Sequence, residues 1–198
     1  MNALLAPRGM TAAEYFVWAD TQLERYDFYN GEVFAMSGGT DMHNTVTGNI
    51  FSALKSHLAG TPCRVFINDV RLEVATNAHY TYPDVFVTCD ERDRGPDAKL
   101  TKRYPTFICE VLSPSTAAYD LGDKFEHYQL STTVVEILFI DPERRSPRLY
   151  RRNAAKRWEI VPVDAVSGVA LESVNTTLSF ATIFENVDEP VAASAAVS

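Results

Sequence analysis

The sequence predicts an α/β (α+β) fold in which one mixed β-sheet is flanked by helices and preceded by an N-terminal β-hairpin. Three observations predict it. Elements read from the residue pattern run in the order αββαβββαβββ, with strands grouped between a few helices, which is not the alternation of a doubly wound sheet. Residues 105–112, PTFICEVL, are apolar on both faces apart from one acid, as a central strand covered on each side has to be. Asn30-Gly31 stands between two aromatic-rich runs, and both central positions of a two-residue hairpin turn want the positive φ that Asn and Gly tolerate.

Each element follows from local pattern. Thr11-Ala-Ala-Glu14 has capping-box spacing and precedes Tyr15, Phe16 and Trp18, so a short amphipathic helix starts there. The hairpin spans about residues 25–36, and Ser37-Gly38-Gly39 breaks its second strand. From about 41 to 58, Val46, Ile50, Leu54 and Leu58 recur at helical spacing. Residues 64–74 and 82–89 are rich in β-branched and aromatic side chains and predict strands. Residues 90–103 are charged and contain Gly95-Pro96, which predicts an exposed loop. After the strand at 105–112, Ser113-Pro114-Ser115-Thr116 opens a helix through about residue 130. Residues 132–140 predict a strand, and 147–152 with 156–161 a late hairpin. The tail from Asp188, ending VAASAAVS, is expected to fray. With no internal repeat and no long linker, a single domain over 1–198 is expected, ordered from about 10 to 187.

At 198 residues the chain can bury roughly 70% of its unfolded surface and needs no staple to form a core. Apolar residues make up 46% and charged residues 22%, which excludes an intrinsically disordered chain. Cys63, Cys89 and Cys109 are odd in number, widely spaced and set in apolar runs, so buried reduced thiols and a reducing compartment are expected. The start, MNALLAPRGM, has neither the charge nor the apolar stretch of a signal peptide, so a cytoplasmic location is expected. A net charge of −8 counts against a broad nucleic-acid groove, since phosphate contacts need Lys and Arg. The basic cluster from Arg144 to Arg157 reads most simply as a solvated hairpin.

Three residues break the apolar pattern. In PTFICEVL the side chains of Ile108, Glu110 and Leu112 share a face. A carboxylate there is costly unless compensated; a salt bridge, a ligand role or a catalytic role would each account for it. Asp84 follows Pro83 and leads into Val85-Phe86-Val87, at the start of a buried strand where proline is tolerated. Alone it could be a turn residue. Beside Glu110 it forms a carboxylate pair, and hard divalent cations such as magnesium bind such oxygens. Lys124 lies about 60° from the centre of the helical stripe Leu121, Phe125 and Tyr128, so its stem can follow the core while its amine reaches the end of the sheet. A surface pair with Asp120 is the simpler alternative.

Pro83-Asp84 followed by Glu110 on an apolar strand resembles the PD-(D/E)XK signature of restriction-endonuclease-like nucleases. The usual lysine stands two residues after the glutamate, and that position is Leu112. The chain is more similar to the Uma family of putative restriction endonucleases. It shares Gly31-Glu32, His43-Asn44, Asp69, Tyr82-Pro83-Asp84, Glu110-Val111-Leu112-Ser113-Pro114-Ser115-Thr116 and Asp120-Leu121-Gly122-Asp123-Lys124-Phe125-Glu126-His127-Tyr128. The likeness runs over about residues 10–160.

The resemblance implies a restriction-endonuclease-like fold. It implies Asp84 and Glu110 as ligands of Mg²⁺ or Mn²⁺, with the Val111 carbonyl as a further candidate ligand and Lys124 replacing the strand lysine from the next helix. Glu32 would be an additional acid from an early element; Asp69 and His43 match family positions but read more simply as structural, and Tyr128 reads mainly as packing. The expected activity is hydrolysis of DNA phosphodiesters by a metal-dependent endonuclease, acting as a homodimer if it cuts both strands. The other open reading is a catalytically inactive nuclease-fold protein that binds or regulates.

Overall fold

The computed structural model describes residues 8–36, 39–114 and 117–188. Residues Ser37, Gly38, Ser115 and Thr116, and 189–198 of the expected tail, lie outside them.

The fold is mixed α+β, and its centre is a six-stranded sheet in the order β11-β10-β9-β8-β6-β3. These strands are β3 (Arg64–Ile67), β6 (Val85–Thr88), β8 (Pro105–Val111), β9 (Glu136–Asp141), β10 (Ser146–Arg152) and β11 (Trp158–Val161). Only β8 and β9 run parallel; every other neighbouring pair is antiparallel. A parallel pair needs a crossover. Here it is helical: α3 (Ala117–Tyr119), a π-helical turn (Asp120–Lys124) and α4 (Phe125–Gln129).

Alternation along the central strands sorts the core into two layers. Val85, Val87, Phe107, Cys109, Val111, Leu138 and Ile140 pack on one face against Val46, Ile50 and Leu54 of α2 (Asp41–His57). On the other face Phe86, Ile108, Leu112, Ile137 and Phe139 pack against Tyr128 and its helix. Glu110 shares the second face by parity.

The N-terminal hairpin, β1 (Tyr26–Tyr29) and β2 (Glu32–Ala35), turns at Asn30 (φ 45°) and Gly31 (φ 91°) as predicted. It does not join the central sheet. With β4 (Arg71–Ala75), β5 (His79–Thr81) and β7 (Thr101–Lys102) it forms a second sheet, ordered β2-β1-β5-β4-β7. The expected single sheet is therefore two, because the 64–74 run is interrupted. Asn68 adopts φ 49° and turns the chain, so β3 pairs with β6 while β4 pairs with β5. The helix α1 (Ala12–Ala19) covers this sheet, capped by the Thr11–Glu14 box, with Tyr15 stacked on Phe28 at 4.8 Å. A small hairpin, β12 (Val169–Leu171) and β13 (Thr176–Leu178), and α5 (Phe180–Ile183) close the α2 side.

Two further expectations are corrected. Residues 90–103 are not a wholly exposed loop. Asp93 is buried and accepts from Thr88 Oγ1 (2.8 Å) and from the backbone N–H groups of Arg103 and Tyr104, while the buried Lys102 donates to the carbonyls of Asp93 and Ala98. The cysteines are not three reduced thiols. The β3–β6 register places Arg64 opposite Thr88, hence Cys63 opposite Cys89, and these two form a disulfide; Cys109 is free and buried. Sequence spacing of 26 hid a pair that antiparallel pairing makes adjacent. No helix among the described residues is long and apolar enough to cross a membrane.

Candidate metal and phosphodiester site

The register that pairs Val85 with Cys109 places Asp84 beside Glu110, at the ends of β6 and β8. Both are buried, at 9% and 3% exposure. The Val111 N–H donates to Asp84 Oδ2 at 2.8 Å, so the strand ladder itself fixes that carboxylate. His43, in the first turn of α2, brings Nε2 to 3.2 Å from the same oxygen. The Thr40 hydroxyl caps that helix by accepting from the His43 N–H at 3.2 Å. A Cβ on Gly39 would lie 2.6 Å from His43 Nδ1, so only glycine leaves the imidazole this room.

Lys124 arrives from the crossover. Its Nζ lies 2.9 Å from Glu110 Oε1 and 3.7 Å from Asp120 Oδ1. Tyr128 donates a short hydrogen bond to the same Glu110 oxygen. The π-helical turn bears on this arrangement. Its wider turn carries one residue more than α-helical spacing, and it keeps both Asp120 and Lys124 buried on the side facing the sheet. Tyr128, which reads in the sequence mainly as packing, therefore reaches the site through its hydroxyl.

The early acid at this cavity is Asp27 and not Glu32. Asp27 is buried on β1 and accepts from the Tyr82 N–H at 3.2 Å. Glu32, one turn further along the hairpin, is exposed and 4.0 Å from Arg8. Asp69 is likewise outside, paired with Arg25 at 2.9 Å on the surface. The pleat puts both acids on one face, Asp27 opposite Phe34 and Glu32 opposite Tyr29, and position along the hairpin decides between them: Asp27 is buried at the cavity while Glu32 is exposed beside the turn. The signal was present: an acid inside the aromatic strand YDFY is the same anomaly as the acid in PTFICEVL.

Electrostatics bind the cluster together. Burial pushes the Glu110 carboxyl above its usual range, against the pull of the Lys124 ammonium, with Asp84 and Asp120 adding to the rise. Burial also raises Asp27, again opposed by Lys124. For Lys124, burial works against the charge, but Glu110, Tyr128, Asp27 and Asp120 together hold it well above the ordinary lysine value. His43 is raised: burial lowers it, and the bond to Asp84 and that carboxylate's charge outweigh the burial.

Asp27, His43, Asp84, Glu110, Asp120 and Lys124 line one cavity of about 510 Å³, which Phe34, Tyr82 and Tyr119 also line. Among the described residues no three His, Cys, Asp or Glu side chains form a complete metal cage. Two hard carboxylates facing an open cavity suit magnesium, which keeps several waters and takes one or two protein carboxylates. A soft or tetrahedral metal would want thiolate or imidazole ligands, and among the described residues the lone free thiol, Cys109, is buried in the core.

The match to known proteins spans most of the chain. Residues 12–182 match the model of the family Uma2, described as "Putative restriction endonuclease". Two uncharacterised Synechocystis sp. proteins are similar. One, slr1290, is 34% identical over 172 residues, which is 87% of this chain and 88% of that protein; the other, sll1609, is 30% identical over 158 residues, 80% and 89%. A crystal structure from Anabaena variabilis, described as "a putative nuclease belonging to DUF820", superposes with a TM-score of 0.71 at 18% identity, covering 88% of this chain and 97% of that one. It shares the fold. The acid pair, the helix-borne lysine and the family model agree, and the chain belongs to the Uma2 family.

Proposed function

We propose that this protein is a metal-dependent endonuclease that hydrolyses phosphodiester bonds of DNA, with Asp84 and Glu110 holding Mg²⁺ or Mn²⁺. One observation carries the reading: two strand-borne carboxylates and a buried ammonium converge in one cavity. A divalent cation bound there would polarise the phosphoryl oxygens and lower the pKa of a water.

The chain's own groups supply the rest. Lys124 keeps its proton in this cavity, so it can donate to a non-bridging phosphate oxygen and offset charge that develops in the transition state. Glu110 accepts from Lys124 and Tyr128 through Oε1, which leaves Oε2 for a ligand. Asp84 is oriented by the Val111 N–H and His43 through Oδ2, which leaves Oδ1. Leu112, at the position where the usual signature keeps its lysine, is instead part of the apolar core. The strand cation is thus replaced from the helix.

Conversion of supercoiled plasmid with Mg²⁺ or Mn²⁺ tests this. Wild type should nick the plasmid, and Asp84→Asn, Glu110→Gln and Lys124→Met should each lose about 100-fold or more, the loss typical of removing one transition-state stabiliser. Activity surviving both Asp84→Asn and Glu110→Gln refutes the assignment. Calorimetric Mn²⁺ binding with no cleavage by wild type would make this a non-catalytic nuclease-fold protein.

A further inference from the structure

We propose, resting on the phosphodiester reading above, that the site takes single-stranded nucleic acid and that Phe34 and Tyr119 form the platform on which an unpaired base stacks. Asp27 and Phe34 are directly paired across the hairpin, so both side chains leave the same face of β1–β2 and look into the acid-lined cavity. Phe34 lies stacked on Tyr119 of the crossover helix, with centroids 5.6 Å apart and planes 27° apart, and it stays 37% exposed. An aromatic pair from two separate elements, partly wet and adjoining a phosphoryl-handling site, is how sequence-tolerant single-strand binding is built.

A second observation is independent of the stack. The Tyr119 hydroxyl is buried and has no hydrogen-bond partner among the described residues, although its residue lines the cavity. A buried hydroxyl left unpaired is costly, and a base or sugar edge in the cavity would satisfy it. The cavity, about 510 Å³, falls in the size class of sites that enclose small ligands, roughly 300–1,000 Å³. It can hold one nucleotide and not the width of a duplex.

Charge points the same way. Duplex binding draws on rows of Lys and Arg that neutralise phosphates. Among the described lining residues Lys124 is the one lysine or arginine. Elsewhere Arg25, Arg92, Arg103, Arg144 and Arg151 already carry acidic partners. Stacking can supply affinity where phosphate contacts are few.

Fluorescence anisotropy tests this with labelled oligothymidine, oligouridine and a mixed-sequence duplex, with Ca²⁺ in place of Mg²⁺. Single strands should bind at least about tenfold tighter than duplex. Phe34→Leu keeps the apolar contact and loses the π-face; it should weaken single-strand binding about tenfold at unchanged melting temperature, and Phe34→Trp should restore it. Tyr119→Phe should weaken binding by less while leaving the stack intact. Dependence on Phe34 for either the deoxyribose or the ribose strand supports the platform. Equal affinity for single strand and duplex, indifference to Phe34→Leu, or no binding at all overturns it. Cleavage with Mn²⁺ is scored separately. Duplex cleavage without Phe34-dependent single-strand binding overturns the platform and spares the nuclease reading. Phe34-dependent binding without any cleavage does the reverse.

Discussion

Replacing Lys124 by methionine removes the cation shared by three buried acids while keeping most of its stem's volume. The pair with Glu110 is closed at 2.9 Å, and the two side chains are only 8% and 4% exposed, so solvent screens little of it. Removing one partner from such a pair leaves an uncompensated buried charge, a loss of about 3–5 kcal/mol. The pH sets how much of that loss appears. Burial raises Glu110 above its ordinary 4.5, so its ionisation opposes folding: stability is full below pH 4.5 and declines as pH climbs through the folded value. Without Lys124 the folded value moves further up and the decline steepens. Lys124→Met should therefore lose little at pH 5, where Glu110 can hold its proton, and about 3 kcal/mol at pH 8, a fall in melting temperature of roughly 10 °C for a chain of this size. Urea denaturation of wild type, Lys124→Met, Glu110→Gln and the double variant at both pH values closes the cycle. Much of the loss at pH 8 should return in the double variant, because no buried carboxylate remains at 110. Equal losses at the two pH values, or single effects that add within about 0.5 kcal/mol, would refute the coupling.

Three other outcomes are expected. Glu136 is fully buried but its oxygens are spent on Arg151 (2.7 Å) and the N–H groups of Glu172 and Ser173, so Glu136→Gln should lose about 3 kcal/mol in urea and leave calorimetric Mn²⁺ binding unchanged. The Cys63–Cys89 bridge closes a 26-residue separation, so Cys63→Ser should destabilise by roughly 3.5 kcal/mol, and thiol titration of denatured wild type should find one reactive cysteine, Cys109. His79 is buried with neither ring nitrogen bonded among the described residues, and burial, with His127 and Lys124 adding, pulls it from 6.5 down to about 3. Its contribution is whole above pH 6.5 and is lost as pH falls toward 3, because the unfolded chain takes up the proton first. His79→Phe should flatten the acid limb of the stability profile, and an unchanged acid limb would exclude His79 as its source.

The pattern of successes and misses follows from range. Glu110 was legible because strand parity alone marks a carboxylate among apolar neighbours, and Asp84 became legible once it was set beside Glu110. The capping box at Thr11, the Asn30-Gly31 turn and the helix from Asp41 were legible for the same reason: their causes lie within a few residues. Lys124 was reached by helical phase, although the π-helical turn that buries it together with Asp120 leaves no mark in the pattern. What failed depended on distant pairing. The split of 64–74 into two sheets, the meeting of Cys63 with Cys89, and the burial of Asp93 under Thr88 are set by which strands become neighbours. Asp27 belongs between these classes. Its place inside the aromatic strand YDFY marked it, but the family likeness drew the choice toward Glu32.

The placement of the lysine divides the site into a fixed half and an adjustable half. Asp84 and Glu110 ride on strands whose spacing is locked by ladder hydrogen bonds, so their separation has almost no mechanical play. Lys124 rides on a helix seated on the sheet by side-chain packing of Phe125 and Tyr128, and such a seat shifts by fractions of an ångström when core volumes change. Substitutions that resize the floor under that helix, at Ile108, Ile137 or Phe139, would act as a fine adjustment of the cation against a stationary pair of acids.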